Sequence, residues 1–193
     1  MNLQKLRLIA LIIVMPMLAA NLAGCVAAVV GGAGGAALVG ADRRTVGTVT
    51  EDEGIELKAA NRIRDKYKDA HFNLTSFSRM VLITGEATDA SMKSDIEKIV
   101  AAVDNVRGVY NEMAIGAPTA LSARANDSFV TSKVKARFVD QQKFNAVHVK
   151  VVTEANVVYL LGLVKRKEGD DAVEIARTTS GVQRVVKLFE YID

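Results

Sequence analysis

From Ile55 to the end of the chain the apolar positions change period several times. Ile55, Ala59, Ile63 and Tyr67 recur at helical spacing, as do Met92, Ile96, Ile99, Val100 and Val103. Extended stretches fall near 71–77, 80–84 and 106–115. The same succession then returns, with helices over roughly 125–142 and 166–179 and strands near 147–153, 156–161 and 182–192. In the second of those strands Val157, Tyr159 and Leu161 mark one face by alternation. Each half therefore predicts α-β-β-α-β. A three-stranded sheet with both helices on one face buries every stripe, which makes the expected class α+β.

The two halves are copies of one unit. "HFNLTSFSRMVLITG" (His71–Gly85) overlays "HVKVVTEANVVYLLG" (His148–Gly162) at a constant offset of 77. Further on, "VDNVRGVYNEM" (Val103–Met113) matches "TSGVQRVVKLF" (Thr179–Phe189) at offset 76. Pro118 falls in the connection. In both copies the run of apolar residues is expected to stop at its Gly. Asn105 and Gly181 hold equivalent places after the second helix. Both tolerate the left-handed backbone region, so a helix C-cap is expected at each.

The first 41 residues follow another logic. Lys5 and Arg7 precede an apolar run from Leu8 to Ala20, and small residues lead to "LAGC" with the single Cys25. That run suits the core of a secretory signal and is too short to span a bilayer. An ordinary signal peptide with a buried free thiol would give this pattern, and so would a signal that ends at a lipid-bearing cysteine. Acylation accounts for an unpaired Cys in an exported chain, and two or three acyl chains make a stable anchor. Val26 to Ala41 is then a tether, flexible or loosely helical, with a reach of about 20–25 Å. A packed helix is the other reading of its small residues. The expected divisions are a signal peptide at 1–24, lipidated Cys25 and tether at 25–48, and folded domains at 49–117 and 118–193.

Composition and charge narrow the chemistry. Half the residues are hydrophobic, 5% are aromatic and there is no Trp, as in small Val/Ile/Ala-rich domains. From Cys25 onward 23 basic residues face 22 acidic ones, a balance that gives no reason to expect nucleic acid. The charge is uneven, with a net of −2 over 26–120 and +3 over 121–193. Catalysis is not expected. His71 and His148 stand far apart in sequence, without adjoining Cys or a repeated carboxylate spacing, so no metal site and no cofactor are expected. A Cys–His pair would need the thiol that lipidation consumes. The glycines at 31, 32, 34 and 35 lack the strand and the Lys of a phosphate loop. "EDEGIE" (Glu51–Glu56) is expected to be the acidic start of a helix.

The helix expected from Ala125 carries two apolar stripes. Val130, Val134 and Phe138 form one, which suits the core. Phe129, Ala136 and Val139 fall away from it, flanked by Lys133, Lys135 and Lys143. An interfacial helix presents such a strip to an anionic membrane. Phe129 packed on the first domain or the linker, with solvated lysines, satisfies the same pattern.

"MVLITGEA…NVRGVY" and "VVYLLGLV…GVQRVV" resemble two BON domains, and nearly the whole chain from Cys25 resembles the dual-BON outer-membrane lipoproteins. "CVAAVVG", "DRRTVGT" (Asp42–Thr48), "VYNEM" and "ANDSFVTSKVKARF" (Ala125–Phe138) carry the likeness. It implies cleavage before Cys25, with a diacylglyceryl group on its sulfur and an acyl chain such as palmitate on its amine. It also implies a non-catalytic protein on the periplasmic face of the outer membrane. Its second BON domain would bind anionic phospholipids such as phosphatidylglycerol and cardiolipin, and it would gather at division sites and support envelope integrity. On this reading the contact residues are Phe129, Lys133, Lys135, Ala136, Val139 and Lys143. The family often has Trp where this chain has Phe129, which implies weaker binding here. The alternative is an adaptor whose BON domains hold an envelope protein or the cell wall.

Overall fold

The computed structural model describes residues 42–193. The signal peptide expected at 1–24, Cys25 and the Gly/Ala stretch to Ala41 lie outside the described residues. The elements of the first repeat are α1 (Val46–Lys66), β1 (His71–Phe77), β2 (Met80–Ala87), α2 (Ala90–Ala101), β3 (Gly108–Asn111) and β4 (Ala114–Ile115). Those of the second are α3 (Leu121–Gln141), a 3-10 turn (Ala146–His148), β5 (Val149–Glu154), β6 (Val157–Val164), α4 (Arg166–Arg177) and β7 (Arg184–Tyr191).

In each repeat an antiparallel hairpin is followed by a helix that crosses over to a strand parallel to the hairpin's second arm, giving the orders β1-β2-β3 and β5-β6-β7. The helices cover one face of each sheet. Ile55, Ala59, Ile63, Val81, Ile83, Ile96 and Val100 fill the first core. Val130, Val134, Phe138, Val158, Leu160, Ile175 and Ala176 fill the second. The uncovered faces meet each other. Phe77 and Leu82 from one sheet and Tyr159 and Leu161 from the other form a third buried cluster. The architecture is helices, sheet, sheet, helices.

Several boundaries shift for local reasons. Helix α1 starts at Val46, nine residues ahead of its first core position, because the Thr45 hydroxyl caps it by accepting from the Thr48 amide at 3.1 Å. Residues 42–48, expected as the end of a tether, are therefore structured. The strand expected over 106–115 is broken, since Met113 turns into the core at 2% exposure between β3 and β4. Neither apolar strand stops at its glycine, because β2 runs on to Ala87 and β6 to Val164. Gly85 and Gly162 instead admit the histidine carbonyls, and a Cβ there would lie 2.3 Å from the His71 oxygen and 2.5 Å from that of His148.

The acidic segment Glu51–Glu56 is not a helix start; it lies in the interior of α1. Asp52 is buried and reaches the β1–β2 turn. Its carboxylate accepts from the Ser76 hydroxyl at 2.6 Å, the Ser78 amide at 2.9 Å and the Arg79 amide at 2.7 Å. Asp127 of α3 does the same in the second repeat, accepting from the Ala155 and Asn156 amides, each at 2.9 Å. Both two-residue turns are left-handed at both positions, Ser78 and Arg79 at φ 52° and 66°, Ala155 and Asn156 at 50° and 60°. Glycine or Asn normally supplies that conformation. Only Asn156 fits the rule, and the buried carboxylates compensate.

Asn105 and Gly181 are left-handed as expected, at φ 69° and 99°. They do not cap helices: those caps are Ala102 and Thr178, both with negative φ. Each is instead the third residue of a turn closed by the Val106 amide on the Val103 carbonyl, or by Val182 on Thr179, at 3.2 and 3.1 Å. A Cβ at Gly181 would also come within 2.9 Å of Val130 Cγ2. Gly181→Val is expected to cost well over 1 kcal/mol, whereas Asn105→Gly is expected to be neutral or slightly stabilising. Urea midpoints of the two variants check this.

Candidate functional site

Helix α3 presents the candidate surface. Val130, Val134 and Phe138 are buried, as the stripe predicts. On the other side Phe129 is 62% and Val139 60% exposed, and Ala136 is exposed between them. The helix begins at Leu121, four residues before the expected start, and adds a further apolar side chain that is 79% exposed. Leu121 and Val139 are five turns apart and so share one azimuth, which gives a strip about 27 Å long. Leu121 was visible in the sequence, but a helix started at Ala125 left it out.

The lysines differ from one another. Lys133 is half-buried, donates to the Ser180 carbonyl and lies 4.9 Å from the Phe129 ring centroid. Its position therefore depends on the turn that contains Gly181. Lys135 is exposed. Lys143 leaves the expected wheel, because α3 ends at Gln141 and Gln142 is left-handed. Its ammonium sits 3.6 Å from Asp171, which also takes Lys167 at 2.7 Å. Those contacts, the Lys167 hydrogen bond foremost, hold the Asp171 carboxyl below its ordinary range once they outweigh burial. The electrostatic part of the strip thus rests mainly on Lys133 and Lys135.

The segment that enters the fold is clamped to the second repeat. Arg43 forms a two-pronged pair with Glu168 at 2.6 and 2.8 Å and donates to the Leu163 carbonyl at 2.8 Å. Arg44 bridges Asp42 and Asp52 and lies 3.9 Å from the Phe77 ring centroid. The Arg43 bond is the main cause that lowers the Glu168 carboxyl from 4.5 to about 2. A depressed carboxylate stabilises the fold above its unfolded value and loses that contribution as pH falls through the folded one. Stability is therefore expected to decline from about pH 4.5 toward 2. Arg43→Gln should flatten that part of the pH profile, read from urea midpoints at neutral and acid pH.

The histidines are far apart in sequence, yet the fold gives one of them two carboxylate neighbours. His71 of β1, Glu86 of β2 and Glu154 of β5 place one ligand-type atom each within 4.8 Å of one another. Sequence spacing could not show this, because Glu154 belongs to the other repeat.

Two repeated α-β-β-α-β units, joined through their sheets, define a tandem BON protein. The BON domain model matches residues 51–117 and 126–193, and the chain belongs to that family. It is similar to the outer membrane lipoprotein DolP of Haemophilus influenzae, with 35% identity over 89% of this chain and 91% of that protein. It is also similar to a 21 kDa hemolysin of Actinobacillus pleuropneumoniae, with 30% identity over 78% of this chain and 79% of that one. Among solved structures, CdsD, a structural protein of the type III secretion system of Chlamydia trachomatis, aligns over 75% of this chain and 92% of its own. Its identity is 13% and its TM-score 0.30, too loose a likeness to carry an argument.

Proposed function

We propose that this chain is an outer-membrane lipoprotein, anchored through Cys25 on the periplasmic side, whose second BON domain binds anionic phospholipids and thereby supports envelope integrity, with enrichment at division sites. The observation that carries the lipid reading is the exposed strip of Leu121, Phe129, Ala136 and Val139 beside Lys133 and Lys135. Such a strip serves an interfacial helix, with apolar side chains among the acyl chains and ammonium groups among the phosphates. The identity to DolP, named an outer membrane lipoprotein, supports the anchor and the compartment. No helix among the described residues is long and apolar enough to cross a membrane. A lipid-free form carrying Cys25→Ser is expected to float with phosphatidylglycerol or cardiolipin vesicles, to leave them as salt rises, and to ignore neutral vesicles. Absence of binding, with a protein partner retained in a pull-down, would replace this reading with that of an envelope adaptor.

A further inference from the structure

We propose that His71, Glu86 and Glu154 form a binding site for a divalent transition metal of the zinc class, clipping the two BON domains together. Two of the three ligands come from the first domain and the third from the end of β5 in the second. Tetrahedral ligands at zinc distances from one ion lie roughly 3.3–3.6 Å apart. The three groups lie within 4.8 Å of one another, with His71 Nδ1 and Glu86 at 2.6 Å, so side-chain rotations that open that contact and close the wider ones would bring all three to one ion.

Charge makes the stronger case. Glu86 and Glu154 are each 7% exposed. Among the described residues neither pairs with Lys or Arg; Glu86 meets only the imidazole of His71, at 2.6 Å. Of the Lys and Arg residues lining the two clefts beside these carboxylates, Arg124 donates to the Thr119 carbonyl at 3.1 Å and Lys68 is exposed. Buried carboxylates are normally paired with a cation or bound to a metal. A divalent ion between these three groups would balance carboxylate charge that no Lys or Arg pairs with among the described residues.

The surroundings have the features of a metal site. The Asn73 amide and the Thr84 hydroxyl donate to Glu154 Oε2 at 2.9 and 3.0 Å, which orients that carboxylate from behind. His71 borders two clefts, one of about 630 Å³ shared with Glu154 and one of about 410 Å³ shared with Glu86. These give an ion a way in and leave room for water as a fourth ligand. An imidazole beside two carboxylates favours zinc over magnesium or calcium, which prefer oxygen alone. Leu163 stands at the repeat position of Glu86, so the same ligand set does not recur in the second repeat among the described residues.

The test uses the full chain in detergent micelles, stripped with EDTA and titrated with zinc chloride by calorimetry. One zinc per chain is expected, with a thermal midpoint that rises with zinc concentration and no comparable response to magnesium. Glu154→Gln is similar in size and can still accept from Asn73 and Thr84. It should weaken zinc binding at least tenfold, as should His71→Asn, while His148→Asn should bind like wild type. If His71→Asn fails to fold, folded Glu154→Gln decides alone, and the zinc-dependent midpoint shift of wild type is read alongside it. Absence of saturable zinc binding would overturn the proposal. So would binding that Glu154→Gln leaves unchanged.

Discussion

Asp52→Ala is expected to cost about 3–5 kcal/mol, the range for removing one partner of a buried ionic network. The carboxylate is 2% exposed and holds a serine hydroxyl, two turn amides and the Arg44 guanidinium at 3.0 Å. Alanine would leave those donors in a site that water cannot easily enter, each at about 1–3 kcal/mol. It would also release Ser78 and Arg79 from left-handed geometry that neither residue favours. The loss should therefore appear in the β1–β2 hairpin and in the entry segment at once. Asp127→Ala should cost less, about 2–3 kcal/mol, because its carboxylate accepts two amides and forms no ion pair among the described residues. Urea denaturation followed by circular dichroism checks both. An Asp52→Ala variant within about 1 kcal/mol of wild type would show that the turn holds itself.

The second large effect concerns lipid binding. Phe129→Glu should lower vesicle binding by the Cys25→Ser form at least tenfold and leave the fold intact. Full burial of a Phe contributes roughly 1.5–3 kcal/mol, and partial insertion keeps a share of that. A near-surface lysine adds about 1 kcal/mol. The introduced carboxylate removes the first term, repels anionic headgroups and lies one helical turn before Lys133, which it can pair with and withdraw. Stability should move by no more than about 0.5 kcal/mol, since Phe129 is 62% exposed. Phe129→Trp should bind more tightly than wild type, because indole suits the headgroup level. With the lipid anchor proposed for Cys25, Phe129→Glu should scatter the membrane distribution without releasing the protein, since the proposed acyl chains would supply attachment. If folded Phe129→Glu co-floats like wild type, α3 is not the contact surface.

Which features were legible in the sequence follows from the distances over which they act. Helices and strands announce themselves through periods of 3.6 and 2, so α1 to α4 and the main strands were readable from residues a few places apart. The repeat was readable because it is a comparison of the chain with itself. Val130, Val134 and Phe138 declared the buried side of α3, and Phe129 and Val139 the side left over. Even the left-handed backbone at Asn105 and Gly181 came from residue type, although its purpose as a turn did not. Lys143 was misplaced on the wheel because a helix end at Gln141 leaves little trace in composition.

Tertiary structure decided everything that joins distant residues. Asp52 reads as one more acid in a charged helix until the hairpin, 26 residues on, is folded against it. The repeat did offer one signal, an aspartate on the buried side of each first helix. Arg43 meets Glu168 across 125 residues, and Asn73 meets Glu154 across 81. The docking of the two sheets through Phe77, Leu82, Tyr159 and Leu161 follows from each sheet having two apolar faces and only one pair of helices. Alternation marked Val157, Tyr159 and Leu161 as one face, expected to be buried under the helices; the helices instead take the face of Val158 and Leu160, and the other sheet covers the marked one. His71, Glu86 and Glu154 became neighbours for the same reason. Local pattern records which face a side chain takes, and only packing of the whole chain determines what that face meets.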